Sequence, residues 1–361
     1  MKFFKKYQKL HIWLLADLAV IGLFLLLRGN RALMNALTCY ITEPLKRGLA
    51  KVTYLVEFSV AEMLIVIAVG AGILLLCAAA RRLVQSQHKW QSIYRMVLGA
   101  VCAALSLYAA FSLLWGVNYY TDTFQDKTGI YGREASVEEL TQLTEFFAQK
   151  AAETALGVVR DEEGTYAESE KAIFAASTGI YENIYQEFPF LRQEDRVPKA
   201  LAFSDVCSRL DFTGFFSPFT GEANLNVHCP TMFLPTTIVH ELAHQRGIAS
   251  EQECNFIAIA TATASDHPVY EYAGWLMAYV HTGNALYRVA PEKWKEIRET
   301  LPYEVRLDLY NNSLYWQSME GPLAEISSNA YDALLKNYGD EDGVQSYGTV
   351  VDMLITYYLD K

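Results

Sequence analysis

The sequence predicts two parts: a helical membrane anchor of three spans, and a mainly α-helical soluble domain with a small β-sheet. Three observations predict this. Charge divides sharply along the 361 residues, with +9 over 1–117 and −20 over 118–361, within a net −11. The basic part holds three long apolar segments and the acidic part holds none. The acidic part shows helical periodicity for most of its length, broken by one stretch that alternates apolar and polar residues. A basic apolar part joined to an acidic part fits an anchor that carries a water-soluble domain. With 52% hydrophobic and 13% aromatic residues, the chain has the material for a core and is not disordered. Its negative balance argues against a nucleic-acid partner.

A spanning helix needs about 20 mostly apolar residues. The first expected span covers about 11–27 and contains one acid, Asp17. The second covers about 62–80 and the third about 96–119, with no charge between Arg95 and Asp122. Lysines at 2, 5, 6 and 9 precede the first segment as they would a signal peptide, but no small-x-small cleavage site follows, so an uncleaved span is expected. Lys and Arg favour the cytoplasmic side. The N-terminal lysines and Arg81, Arg82, Lys89 and Arg95 therefore place the N-terminus inside and the 118–361 domain outside. Arg28, Arg31, Lys46, Arg47 and Lys51 run against that assignment. Asp17 is a functional candidate by its position in a span, and a hydrogen bond to a neighbouring span is its simpler role.

In the soluble part, Ser136-Val137-Glu138-Glu139 is a capping box that opens a helix near Val137, with Leu140, Leu143, Phe147 and Ala151 on one face. A second helix is expected over Glu168–Gln186, and Pro189 breaks the pattern after it. Val197–Ser204 reads as a strand, and Phe212–Gly221 as a loop. Ala223–His228 alternates with a period of two and reads as a short strand. Helices then follow from about Thr236 to Gly247 and from Ser250 to Ala264. Others are expected over Val269–Arg288, Pro291–Thr300, Val305–Met319, Pro322–Tyr338 and Tyr347–Leu359. The six cysteines form no CxxC, and Cys207–Cys229 is one conceivable disulfide. Small buried hydrophobes are the plainer reading.

The segment that carries chemistry is Thr237-Ile238-Val239-His240-Glu241-Leu242-Ala243-His244-Gln245-Arg246-Gly247. Positions i and i+4 share a helix face, so His240 and His244 can both present a nitrogen to one tetrahedral Zn2+. Glu241 then sits beside the metal without binding it, where it can move a proton as a peptidase's general base. A catalytic zinc needs a third protein ligand and an open fourth position. After the Gly247 turn, Glu251 and Glu253 are both available. The segment looks similar to a zinc-peptidase pattern in which a ligand Glu is followed four residues later by Asp or Asn. Glu251 with Asn255 fits that spacing, Asn255 then orienting a ligand histidine, and Glu253 is the competitor. A different class, His-Glu-x-x-His-x-x-Gly-x-x-His, matches at Gly247 and fails at Ser250, a poor zinc ligand. The alternating 223–228 strand would be the edge on which a peptide substrate docks by strand addition. His228, His267, Tyr270, Tyr272 and His281 are candidates for stabilising an oxyanion, and Cys254 reads as a packing residue. Glu222 reads as a structural or solvated carboxylate. The motif lies more than 100 residues beyond the last span, which argues against proteolysis inside the bilayer.

His240–His244, Gln245, Gly247 and Glu251–Phe256 resemble the core of a bacterial membrane family known as domain of unknown function 3810. Phe219–Asn224 and Ser346–Gly348 also resemble its pattern. The resemblance implies N-terminal spans ahead of a zincin-like domain, in a multi-pass protein of the bacterial cell membrane. It implies a zinc metallopeptidase acting on a peptide or protein, and says nothing of which. The alternative is a receptor or assembly protein that keeps zinc only to hold two helices together.

Overall fold

A computed structural model describes residues 5–338 and 347–360. Close contacts divide the chain into two units, 1–121 with 218–221, and 122–217 with 222–361.

In the first unit, α1 (Gln8–Leu27), α4 (Val60–Gln85) and α5 (Lys89–Leu114) are each long and apolar enough to cross a membrane. Between α1 and α4 lie α2 (Arg31–Leu37), one π-helical turn (Thr38–Thr42) and α3 (Glu43–Thr53). The third span was expected to run to residue 119, but α5 ends at Leu114 and a 3-10 turn takes Gly116–Tyr120. It also starts seven residues early, at Lys89, because an apolar window marks what suits a bilayer and not where helical hydrogen bonding begins or stops. Asp17 accepts from Ser106 Oγ of α5 at 2.9 and 3.0 Å, the bond to a neighbouring span that its position suggested. Trp13 Nε1 donates to the same hydroxyl at 2.7 Å.

The second unit is mainly helical. It begins with α6 (Phe124–Thr128), α7 (Val137–Thr154) and α8 (Glu170–Ala175). Then come β1 (Lys199–Ala200), α9 (Ser204–Arg209), β2 (Gly214–Ser217) and β3 (Glu222–Leu225). After these lie α10 (Leu234–Gln245), α11 (Glu251–Thr263), α12 (Pro268–Val289), α13 (Pro291–Thr300), α14 (Tyr303–Met319), α15 (Pro322–Asn337) and α16 (Tyr347–Leu359). The capping box closes as expected: Ser136 Oγ accepts from Glu139 N, and Glu139 returns a bond to Ser136 N. Leu140, Leu143, Phe147 and Ala151 form the buried face of α7. That face packs along α12, and the rings of Phe147, Trp275 and Tyr358 meet there. Leucine, isoleucine and aromatic side chains of α7, α10, α11, α12 and α16 make one continuous core.

The expected helix over Glu168–Gln186 is only α8, six residues long. Its end is tied off locally: Ser177 Oγ donates to the Phe174 carbonyl at 2.7 Å, and Gly179 N donates to Asp195 at 3.1 Å. The expected strand Val197–Ser204 shortens to the two residues of β1, since α9 starts at Ser204.

The sheet has the order β1-β3-β2, with β3 parallel to β1 and antiparallel to β2. The period of two over 223–228 does mark a strand, but β3 ends at Leu225, leaving Asn226–His228 outside it, and it is the central strand and not an edge. Both its faces are buried. The polar face survives burial because its groups are paired: Glu222 with Lys199 Nζ at 2.5 Å, Asn224 Nδ2 with the Glu222 carbonyl at 3.1 Å, and Asn226 Nδ2 with Ser208 Oγ at 2.8 Å. The edges are β1 and β2, and β2 lies within the segment read as a loop. All six cysteines are free, so no Cys207–Cys229 disulfide forms. Of the Ser346–Gly348 pattern, Ser346 lies outside the described residues.

Candidate metal centre

Ile238, Val239, Leu242 and Ala243 are fully buried, which fixes the rotation of α10 about its axis. The opposite face carries His240 and His244, one turn apart. The helix ends in a reversal in which Gly247 takes φ +89°, a conformation that glycine adopts without steric cost. Gly247 N donates to the His244 carbonyl at 2.9 Å, and Ile248 N to the Ala243 carbonyl at 3.3 Å. Ser250 then caps α11, which packs back against α10. This tight reversal lets a ligand seven residues after His244 reach the histidines.

His240 Nδ1 donates to Asn255 Oδ1 and His244 Nδ1 to the Ile248 carbonyl, each at 2.8 Å. Both acceptors are oxygens, so the ring proton of each neutral imidazole sits on Nδ1 and each Nε2 carries a lone pair. The two Nε2 atoms are 3.1 Å apart. Glu251 Oε2 lies 3.1 Å from His240 Nε2, and Glu251 Oε1 lies 3.3 Å from His244 Nε2. Three electron-pair donors of the types zinc takes thus converge on one point. Lone pairs this close repel one another unless a proton or a cation lies among them, so the residues fit a divalent metal.

The other candidates face elsewhere. Glu253 accepts the backbone N–H groups of Phe124 and Gln125 at 3.0 and 3.1 Å, and so satisfies two donors at the start of α6, beside its N-cap Thr123. Of the two glutamates the sequence left open, Glu251 is the one brought to the histidines. Cys254 is near enough to both histidines to be grouped with them. Its Sγ, however, approaches His244 from the Nδ1 side, at 3.3 Å, the side away from Nε2. Burial pushes that thiol up to about 12, so it stays protonated.

Glu241 lies between α10 and the edge strand β2. It accepts a hydrogen bond from the Phe216 backbone, it is 4% exposed, and its Oε2 has no hydrogen-bond partner among the described residues. Burial raises its pKa, and His240 and His244 offset part of that. The strand can come this close only because residue 214 is glycine. A Cβ there would stand 2.9 Å from the Asn224 carbonyl oxygen and 3.1 Å from Glu241 Cγ.

The chain matches the family described as "Protein of unknown function (DUF3810)" over residues 38–355. It belongs to that family. The DUF3810 match begins after the first span and takes in every residue of the candidate centre. No curated protein and no solved structure matches the chain.

Around this DUF3810 centre, four of the five oxyanion candidates are engaged elsewhere. Tyr270 donates to the Ile173 carbonyl at 2.9 Å, and Tyr272 to Asp308 at 2.5 Å. His228 pairs with Asp205 at the surface, and the His267 ring meets the Tyr270 ring edge-on. His281 is the fifth: chiefly burial pushes it down to about 4, so it is a neutral imidazole. Sequence reasoning missed two residues. Gly214 lay in a stretch read as loop. Tyr331 of α15 donates to Glu251 Oε1 at 2.5 Å across 80 residues of sequence. Nothing local marks it among 23 tyrosines.

Proposed function

We propose that the chain is a membrane-anchored zinc metallopeptidase whose soluble domain works outside the bacterial cell membrane. The observation that carries this reading is the convergence of His240 Nε2, His244 Nε2 and the Glu251 carboxylate beside a buried, half-satisfied Glu241. His240, His244 and Glu251 would hold the ion, with Asn255 and the Ile248 carbonyl fixing the two imidazoles. Zinc held there supplies Lewis acidity, polarising a peptide carbonyl and making water acidic enough to attack at neutral pH. Glu241 takes the proton from the attacking water and passes it to the leaving amine, and its burial raises its basicity toward that task. The outer edge of β2 offers backbone groups against which an extended peptide or protein substrate can align. The zincin-like character of the domain belongs to this proposal.

The competing reading, a non-catalytic zinc receptor or assembly protein, needs a site closed by four protein ligands. The three candidates for a fourth are occupied: Glu253 by α6, Cys254 on the far side of His244, and His228 by Asp205. That favours an open site.

The test is metal content of the full chain purified in detergent. About one zinc per chain is expected in wild type, retained in Glu253→Ala and lost in His240→Ala and Glu251→Ala. Glu241→Gln should keep zinc and lose roughly 10²–10⁴-fold of peptide hydrolysis. Well-folded wild type without zinc would sink the reading.

A further inference from the structure

We propose that Tyr331 is a positioning residue of the metal centre: it holds Glu251 by one oxygen, leaves the other for the cation, and so makes α15 part of the ligand support. This rests on the metal-site reading above.

Each of the three ligands has a partner that fixes its orientation. Those of His240 and His244 are Asn255 and Ile248, both close in sequence. The partner of Glu251 is Tyr331. A phenol donating to an ionised carboxylate at 2.5 Å makes a short, charge-assisted bond. It engages Oε1, the oxygen 3.3 Å from His244 Nε2, whereas Oε2, 3.1 Å from His240 Nε2, takes no bond from the phenol. A carboxylate with both oxygens open can grip a cation with one or two of them. A donor held on Oε1 competes for that oxygen's lone pairs and favours ligation through Oε2 alone. One-oxygen ligation leaves the open position that a catalytic site requires.

The placement of the ring supports the assignment. Phe212 meets the Tyr331 ring edge-on, with centroids 5.7 Å apart and planes at 76°. Phe212 lies two residues before Gly214, the residue that admits Glu241. One side chain of α15 therefore touches both the third ligand and the segment that leads into the edge strand. Elsewhere on the helix Leu323 and Ile326 are 58% and 66% exposed, while Leu335 is buried.

The experiment compares wild type and Tyr331→Phe as full chains in detergent. This substitution removes the hydroxyl and keeps the ring on Phe212, so the metal-free proteins should differ little in thermal midpoint. Zinc affinity, measured by competition with a chelator, should fall by about 10–100-fold, the usual effect of losing a partner of a metal ligand. In the Co2+-substituted protein the visible absorption should weaken, because a second Glu251 oxygen raises the coordination number. Unchanged affinity and spectrum, in a wild type that binds zinc, would overturn the role of Tyr331 and leave the metal site standing. Weaker binding with an unchanged cobalt spectrum would overturn it as well, since a merely structural hydroxyl gives that result. A wild type that retains no zinc would remove the metal site and this role together.

Discussion

Gly214 shows how little room separates the edge strand from Glu241. Its missing Cβ would press on the Asn224 carbonyl oxygen and on Glu241 Cγ, one a backbone atom and the other part of the proposed base. In Gly214→Ala either β2 moves out or Glu241 turns away. Neither movement touches His240, His244 or Glu251. Zinc content should therefore stay at the wild-type level while kcat/KM falls by about 10²-fold, as a displacement near 1 Å can cause. Equal activity in the two proteins would show that the close approach has no catalytic role. The two glutamates of α11 make a related point. Glu251 and Glu253 differ by two residues, about 200° around a helix, so they serve different neighbours. One reaches the histidines and the other satisfies two backbone donors at the start of α6.

At the scale of elements, the site depends on α10 being held rigidly while α11 folds back on it. The C-terminal end of α10 is clamped by Arg246, which pairs with Asp195, donates to the Leu191 carbonyl at 2.8 Å and stacks over Tyr181 at 3.6 Å. Tyr181 also donates to the Val239 carbonyl within α10 at 2.7 Å. A second tie joins the end of α16 to the start of α7. Arg133 bridges Asp360 at 2.7 Å and Glu139 of the capping box at 2.9 Å. Hydrogen bonds from Arg133, and then from Ser136, hold Glu139 down at about 2, against the usual 4.5. Because the folded value lies below the unfolded one, this stabilisation is complete above pH 4.5 and fades as pH falls toward 2. Hydrogen-exchange protection of α16, relative to α10, should decline over that window and lose its pH dependence in Arg133→Ala. An unchanged profile in that variant would show that the tie does not hold α16.

For the whole molecule, the charge division and the two units follow the same line along the chain, near residue 120. If α1, α4 and α5 cross a membrane, the lysines at the N-terminus and the arginines around the short link between α4 and α5 predict that the second unit lies on the outer side. Alkaline phosphatase, which needs an oxidising compartment to fold, reports this directly. Fused after residue 361 it should be active, and fused in the 86–88 link it should be inactive. The reverse pattern would put the second unit in the cytoplasm and overturn the proposed action outside the cell membrane.

The sequence alone determined the features that depend on neighbours along the chain. Three apolar windows marked the three helices long and apolar enough to cross a membrane. The capping box at 136–139 marked the start of α7, and Pro291 that of α13. The five-residue motif placed His240, Glu241 and His244 on one helix, because helical geometry converts that spacing into adjacency. The Gly247 reversal was legible for the same reason. What depends on distant segments meeting was decided by tertiary structure. The alternation of 223–228 showed a strand but not its place, because burial of Glu222, Asn224 and Asn226 required partners from β1, α9 and the 212 loop. Glu253 could be set aside only when α6, some 130 residues earlier, donated its backbone to it. Gly214 and Tyr331 acquired meaning only through contacts with Glu241 and Glu251. Periodicity and capping are local and repeat in the sequence, whereas a buried polar group's partner is chosen by the fold that brings it near.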